Sequence, residues 1–420
     1  MIERGSRAAV ATVVAEGFLG RLAFGMVSFA LPLYAFRLGL NLSEIGLLIS
    51  LRTVVALLAK PAAGWASDRF GVRAVYLAGS LARVLAVAGL LAADGYVALI
   101  GVRLLQGLSA AGRDVASLGV IAKEAETRVG SAYSWYTTAK HVGGVAGAAA
   151  AGLVLGATGG SFDTLFVVVL ALSVLPMVAA WFGLRLVVDA ALASEPETGG
   201  ATSWVERVRG SLALLRELSA PASVALLAAT SAYMVHGIFP ILATEYAGLS
   251  EAETGVIYSL SAAVFLVAGP SFGWLVDHRG AKLAIAWRAA ANIGSSVAYL
   301  VSPSFAGLAV ARAIDDSGKA AFRPAWATTM ADVAAADPPR RGRRLGLLDA
   351  SQTTGEVIGP LLAGVLWQSG GVVLLFVVRI VIAAVAEAAA LRAFAGGTGR
   401  PSRALSLRRE AAASPRSSAG

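Results

Sequence analysis

The chain has 420 residues, 57% of them hydrophobic and 15% charged, with a mean hydropathy of +0.72. That composition leaves too little polar surface for a soluble globule, and the absence of cysteine excludes disulfides, thiol catalysis and cysteine-ligated metal. The net charge of +9 is dispersed over alternate loops, as a membrane protein distributes it, and does not point to a nucleic-acid partner.

A bilayer-spanning helix needs about 20 mainly apolar residues, and such runs predict twelve helices in chain order. They cover 9–36, 43–63, 74–93, 96–118, 131–157 and 164–187, then 220–246, 254–275, 283–302, 304–322, 345–368 and 371–394. The first run is longer than the apolar core of a signal peptide and carries Glu16 and Arg21, so no cleavable signal is expected. The fold class is therefore an all-α membrane protein, with a bundle in 1–188 and another in 220–396. Between them, 189–219 is a polar linker followed by a segment in which Trp204, Val208, Leu212 and Leu215 recur at helical spacing, as on a surface-lying amphipathic helix. The tail 397–420, rich in Gly, Ser and Arg, is expected to be disordered and drawn to anionic headgroups.

Basic residues mark one set of loops (Arg69 and Arg73; Lys123 and Arg128; Arg279 and Lys282; Arg340 to Arg344). Acidic residues mark the other (Asp94, Asp163, Glu245, Glu251, Glu253), with Arg37 as the exception. Both termini are therefore expected on the cytoplasmic side.

Between the second and third helices lies GWASDRFGVR, Gly64–Arg73. It returns as GWLVDHRGAK at Gly273–Lys282, 209 positions later. The same register carries Gly46 onto Gly255, Ser50 onto Ser259 and Arg103 onto Arg312, and at an offset of 208 Pro32 falls on Pro240. After the fourth helix the offset becomes 216, and Gly143 falls on Gly359. The chain is two homologous six-helix bundles, an arrangement that places a substrate site between the repeats near the bilayer midplane.

Over residues 8–395 this pattern resembles the major facilitator superfamily, whose loop signature reads G-x-L-a-D-R-x-G-x-R-R. Gly64, Asp68, Arg69, Gly71 and Arg73 match it, with Ala66 in place of the leucine and Ala74 in place of the last basic residue. In the second half Gly273, Leu275, Asp277, Gly280 and Lys282 match. The resemblance implies that these loops gate one side, Asp68 and Arg69 pairing with the opposite bundle in the outward-open state. It also implies a role in proton coupling for RLLQG, where Arg103, Gln106 and Gly107 match the family's R-x-x-Q-G. The family's antiporter branch carries Gly-Pro in the fifth helix. Here Gly359–Pro360 stands in the eleventh, which weakens that assignment. Close helix packing accounts for Gly143, Gly147, Gly355 and Gly359 without it.

Charges within the spans are the candidate coupling groups. Arg103 lies about two turns into its helix and is expected to face the central cavity. Arg312, Asp316, Lys319 and Arg323 share one helix face, with Asp315 beside it. That stripe lines the cavity, or it contains an internal Arg312–Asp316 ion pair with Arg323 among the headgroups. Lys140 and Glu356 occupy equivalent positions with opposite charges and are candidates for a cross-bundle pair. The three histidines, His141, His236 and His278, lack ligand spacing, so no metal is expected.

These features predict a secondary transporter, not an enzyme. It would move a small solute by alternating access, without a phosphate-binding loop, cofactor, nucleic acid or obligate protein partner. Protons are the expected coupling ion, through Asp316 with Arg312, then Glu16 and Glu356. Efflux of a drug-like or amphipathic compound across the plasma membrane is favoured over symport of an anionic metabolite. The excess of Arg21, Arg52, Arg103 and Arg312 would suit the latter, unless Glu16, Asp316 and Glu356 neutralise it. A transporter-like sensor or assembly protein is the remote alternative.

Overall fold

The computed structural model describes residues 2–124, 129–183 and 213–394. The expected amphipathic segment up to Leu212 and the tail 397–420 lie outside the described residues.

The first half contains α1 (Ile2–Arg37), α2 (Leu42–Phe70), α3 (Val72–Leu91), α4 (Tyr96–Glu124), α5 (Val129–Ala157) and α6 (Phe162–Gly183). The second contains α7 (Ser219–His236, continued after a 44° bend by Phe239–Tyr246), α8 (Glu251–Arg279), α9 (Ala281–Val301) and α10 (Phe305–Ala335). A helical stretch over Arg341–Phe394 follows. It breaks at Gly370 and Gly371, where Gly371 has φ 73°, into α11 (341–369) and α12 (372–394). Seven helical stretches are long and apolar enough to cross a membrane, and the bent α7 is an eighth. With the last stretch divided, the three spans that fall short are α4, α9 and α10. They carry buried charges such as Arg103, Arg288 and Asp315. Twelve spans in two six-helix bundles result.

Two expectations need correction. The repeated decapeptides are not loops: Gly64–Phe70 completes α2 and Gly273–Arg279 completes α8. Only Gly71 (φ 87°) and Gly280 (φ 82°) leave the helix. That left-handed conformation is accessible at little cost only to glycine, so each turn is a single residue. The tenth helix also runs on to Ala335, through Pro324 and Arg323, well past the expected end at 322.

The repeat extends to helix starts. Asn41 and Glu44 form a capping box on α2, and Ser250 and Glu253 form the equivalent box on α8, at the same offset of 209. Within the bundles, glycine brings α5 against α1. A Cβ at Gly143 would lie 2.4 Å from the Phe18 carbonyl oxygen and one at Gly147 2.0 Å from that of Leu22. α11 meets α7 in the same way, with 2.3 Å from Gly355 to the Leu226 oxygen and 2.7 Å from Gly359 to that of Thr230.

Contacts between the bundles concentrate at one end. A Cβ at Gly46 would come within 2.4 Å of the Pro360 carbonyl oxygen, one at Gly364 within 2.2 Å of the Leu42 oxygen, and one at Gly152 within 2.4 Å of the Glu251 oxygen. The Ser50 hydroxyl donates to the Val357 carbonyl at 2.7 Å, and Arg37 pairs with Glu251 at 2.6 Å. At the opposite end a Cβ at Gly64, Gly269, Gly273, Gly342 or Gly346 would meet nothing within 4 Å. The molecule is closed at the α1–α2 end and open at the α2–α3 end.

Candidate functional site

At 1.5 Å per residue, Arg21 on α1, Lys140 on α5 and Arg323 on α10 each lie about 24–27 Å from the closed end. This level is where the two bundles part. Arg323 reaches across to His141, its Nη2 3.1 Å from Nδ1, and both side chains contact the Phe265 ring of α8. Arg21 projects toward the same space. Its charge is felt at Asp114, Lys140 and His141 on its own side, and at Tyr233 and Glu356 on the other.

Inside the first bundle, Glu16 is 2% exposed. It accepts from the Tyr76 hydroxyl at 2.5 Å and from Arg83 at 2.6 Å, with Arg113 at 3.2 Å. Gly20 makes room for this cluster, since a Cβ there would sit 2.2 Å from the Arg83 guanidinium. Lys140 donates to Asp114 at 2.6 Å and also touches Tyr136. Arg52 and Arg21 rest on the Phe24 ring, 4.0 and 5.3 Å from its centroid. Arg103 is buried and donates to Gln106 at 2.8 Å. Among the described residues no carboxylate lies within 4.0 Å of Arg21, Arg52 or Arg103.

Inside the second bundle four cations share two carboxylates, so that each cation has an acid partner. Asp315 is held by Arg379 at 2.6 Å and Lys319 at 2.7 Å, with Arg288 at 3.9 Å. Asp316 is held by Arg312 at 3.0 Å and Lys319 at 2.9 Å. Arg379 spends its other donors on the Ser231 carbonyl and the Ser295 and Ser296 hydroxyls, and Arg312 lies over Phe239 and Tyr258. Glu356 differs from these acids. It is half-buried, it accepts from Gln352 at 3.4 Å with Tyr233 beside it, and no cation pairs with it among the described residues.

The structure thus separates residues that the sequence grouped. Arg312 and Asp316 do pair internally, while Arg323 lies at the cleft and not among headgroups. Lys140 and Glu356 do not meet, because Asp114 on the adjacent α4 takes the lysine. Arg103 is enclosed in its own bundle and does not face the space between the two. Asp68, Arg69, Asp277 and Lys282 are exposed at the open end and make no ion pair among the described residues. Arg73 lies over the Trp181 ring.

Sequence reasoning missed Arg113, Asp114, Tyr233 and Phe24 as site residues. The Arg-Asp dipeptide deep in α4 was the available signal, a second pair of charges in a helix already carrying Arg103. Nothing in the local pattern distinguishes Phe24 or Tyr233 from other core aromatics. Among the described residues no group of His, Cys, Asp and Glu is arranged to hold a metal.

No curated protein matches the chain by sequence. Its fold matches solved transporters at low identity. The nucleoside transporter NupG superposes with TM-score 0.69 at 15% identity, over 92% of this chain and 98% of that one. The peptide transporter POT in complex with sulfate gives 0.68 at 16%, over 91% and 94%. A bacterial homolog of the human lysosomal transporter Spinster, inward-facing and occupied, gives 0.65 at 16%, over 90% and 95%. The sequence profile of the Major Facilitator Superfamily matches residues 17–305 and 221–418, together nearly the whole chain. The protein is a multi-pass membrane transporter, a secondary transporter belonging to the Major Facilitator Superfamily.

Proposed function

We propose that this protein couples proton movement to the transport of a small solute by alternating access, with Glu356 as the carboxylate that exchanges the proton. The observation that carries this reading is the difference in partners among the buried acids. Taking a proton onto Glu16, Asp315 or Asp316 would leave at least one buried cation without its counter-charge, which is costly. Glu356 sits at the cleft with Gln352 and Tyr233 as partners, so its charge can come and go without stranding a cation. This reorders the expectation that placed Asp316 first.

The basic loops lie at the open end, around Arg69, Arg73, Arg279 and Lys282. In the plasma membrane the positive-inside rule turns that end, and both termini, to the cytoplasm. The gap beside the α2 and α8 glycines is then the cytoplasmic entrance. Closing it would bring Asp68 and Asp277 within reach of the opposite bundle.

The test starts with a solute selected by thermal stabilisation of the purified protein against acidic metabolites and amphipathic drugs. In proteoliposomes, Glu356→Gln is expected to abolish gradient-driven accumulation while retaining solute exchange. Full accumulation by Glu356→Gln would overturn the assignment. The sign of the driving gradient separates uptake from export of a drug-like compound.

A further inference from the structure

The first bundle holds a cavity that the coupling reading does not use. It is lined by Arg52, Arg83, Gln106, Ser109, Arg113 and Ser173, with Phe24 at its side. Arg103 joins this group through Gln106. Of these four guanidiniums only Arg83 and Arg113 pair with a carboxylate, Glu16, while Asp114 is taken by Lys140 and Arg52 and Arg103 have no acid partner among the described residues. A buried cluster of like charge is unfavourable unless something negative completes it.

The donors are also incomplete. Nε and Nη2 of Arg83, Nε of Arg103 and the hydroxyl of Ser173 are enclosed and hydrogen-bond to nothing. Arg83 is 5% exposed and Ser173 0%. Buried donors of this kind are almost always satisfied in native proteins.

The internal repeat shows where the two halves differ: each buried cation of the second half has a carboxylate partner, whereas Arg52 and Arg103 of the first have none among the described residues. Arg103 and Arg312 are equivalent. In the second half Asp316 and Asp315 follow Arg312, and Ser261 of α8 bonds to it at 3.3 Å. The positions equivalent to these three, at the same offset of 209, are Gly107, Gln106 and Arg52. The first half therefore has neither acid and carries a cation where the second has a serine. Gly107 has no room for a side chain, because α2 packs against it: a Cβ there would lie 2.9 Å from the Arg52 carbonyl oxygen and 2.5 Å from Val55. The second half carries aspartates at these positions; the first carries only hydrogen-bond donors and a glycine around Arg103.

We infer that this cavity is an oxyanion site, which receives the carboxylate, phosphate or sulfate group of the transported solute. Arginine suits such a group, because its planar donors match two oxygens at once. Phe24 connects the site to the cleft. Its ring contacts Arg52 on the cavity side and also Arg21, whose charge reaches the opposite bundle. An acid group seated against Arg52 and Arg83 would leave the rest of the solute toward the cleft. The inference rests on the transport reading for its purpose, but not for its measurement, since anion binding is tested at equilibrium without a proton gradient.

The experiment is a titration of the purified wild-type protein with inorganic phosphate, sulfate and chloride, followed by thermal stabilisation. Saturable stabilisation by an oxyanion, weaker with chloride, is expected. Arg52→Gln and Ser173→Ala leave the Glu16 ion pairs intact. The first is expected to weaken oxyanion binding at least about tenfold, in line with the loss of a charge-assisted hydrogen bond, and the second by less. Arg312→Gln serves as the control in the other bundle and should not change it. Competition between inorganic phosphate and organic monoacids would identify the site as the seat of an organic solute's acid group. Binding of the inorganic ion alone would identify a mineral oxyanion as the solute. The proposal is overturned if neither oxyanion stabilises the protein, if chloride does so equally, or if Arg52→Gln binds as the wild type does. Failure of Glu356→Gln to uncouple transport would leave all of these outcomes unaffected.

Discussion

The two bundles descend from one pattern but treat their buried charge in opposite ways. In the second, Asp315 and Asp316 on α10 are matched by Arg379, Lys319 and Arg312, and Arg379 has no exposed surface at all. In the first, Glu16 on α1 holds Arg83 and Arg113, while Arg52 and Arg103 have no carboxylate partner among the described residues. One bundle gives each buried cation a carboxylate of its own chain and so behaves as a scaffold. The other is incomplete and so has capacity for a ligand. A duplicated fold can divide its labour in this way, because each copy keeps the shared rocking geometry while its interior changes independently.

The largest effect expected from breaking this contrast is on stability. Asp315→Asn strands Arg379 in the interior and takes the nearest carboxylate from Arg288, and removing one partner of a buried pair costs about 3–5 kcal/mol. Glu16→Gln should cost less, since Arg113 is 17% exposed and can be partly hydrated. Thermal unfolding in detergent measures both. Phosphate is expected to restore part of the loss in Glu16→Gln, where the freed guanidiniums border the cavity, and none in Asp315→Asn. Equal rescue of the two variants would remove the distinction between the bundles.

A second contrast separates the two ends of the molecule. At the closed end Gly46 lies under the Pro360 carbonyl, and Gly237 of α7 approaches Ile49, where a Cβ would be 2.9 Å away. At the open end Gly64 and Gly273 have nothing near them. Gly46→Leu should therefore prevent the closed end from forming, while Gly64→Leu is tolerated in the state described. The chain has no cysteine, so Ile49→Cys gives a single reporter in an otherwise unreactive protein. Its alkylation by a membrane-impermeant reagent is expected to rise at least about tenfold with Gly46→Leu, the response to a bias of roughly 1.4 kcal/mol. It should stay unchanged with Gly64→Leu. If Gly64→Leu also exposed Ile49, the open end would already be in contact.

Much of the architecture was legible because it repeats. The 209-residue register gave two bundles, and the capping residues Asn41 and Ser250 follow it to the helix starts. Charge partners were far less legible. Helical spacing can propose Arg312 with Asp316, because both sit on one helix one turn apart. It cannot propose Glu16 with Arg83, or Asp315 with Arg379, because those contacts depend on which helix faces which after packing. Lys140 shows the same limit from the other side. Equivalence in the repeat suggested Glu356, but α4 brings Asp114 closer, and proximity decides the pairing. The single-residue turns at Gly71 and Gly280 were obscured by the polar residues before them, which read as loop and are helix ends.

The smallest expected effect tests whether the repeat is equal where it is most alike. Asn41 caps α2 and Ser250 caps α8, each accepting from the backbone N–H three residues on, at 3.0 and 3.2 Å. Replacing either by alanine removes one such bond and should cost about 1 kcal/mol. The surroundings differ, however. Leu42, next to Asn41, donates its N–H to Gln368 of the other bundle and lies beneath Gly364. On the other side, Glu251, next to Ser250, takes the Arg37 ion pair and packs against Gly152. Both helix starts thus belong to the closed end, one through backbone contact and a neutral amide, the other through a charged pair as well. Asn41→Ala and Ser250→Ala should then destabilise to similar extents in low salt. In high salt the Arg37–Glu251 pair is screened, and the α8 end has less left to hold it in place when its cap is removed. Ser250→Ala is therefore expected to lose more stability than Asn41→Ala as salt rises. Thermal unfolding at two ionic strengths reads the difference, and identical salt responses would show that the cap and the ion pair act independently.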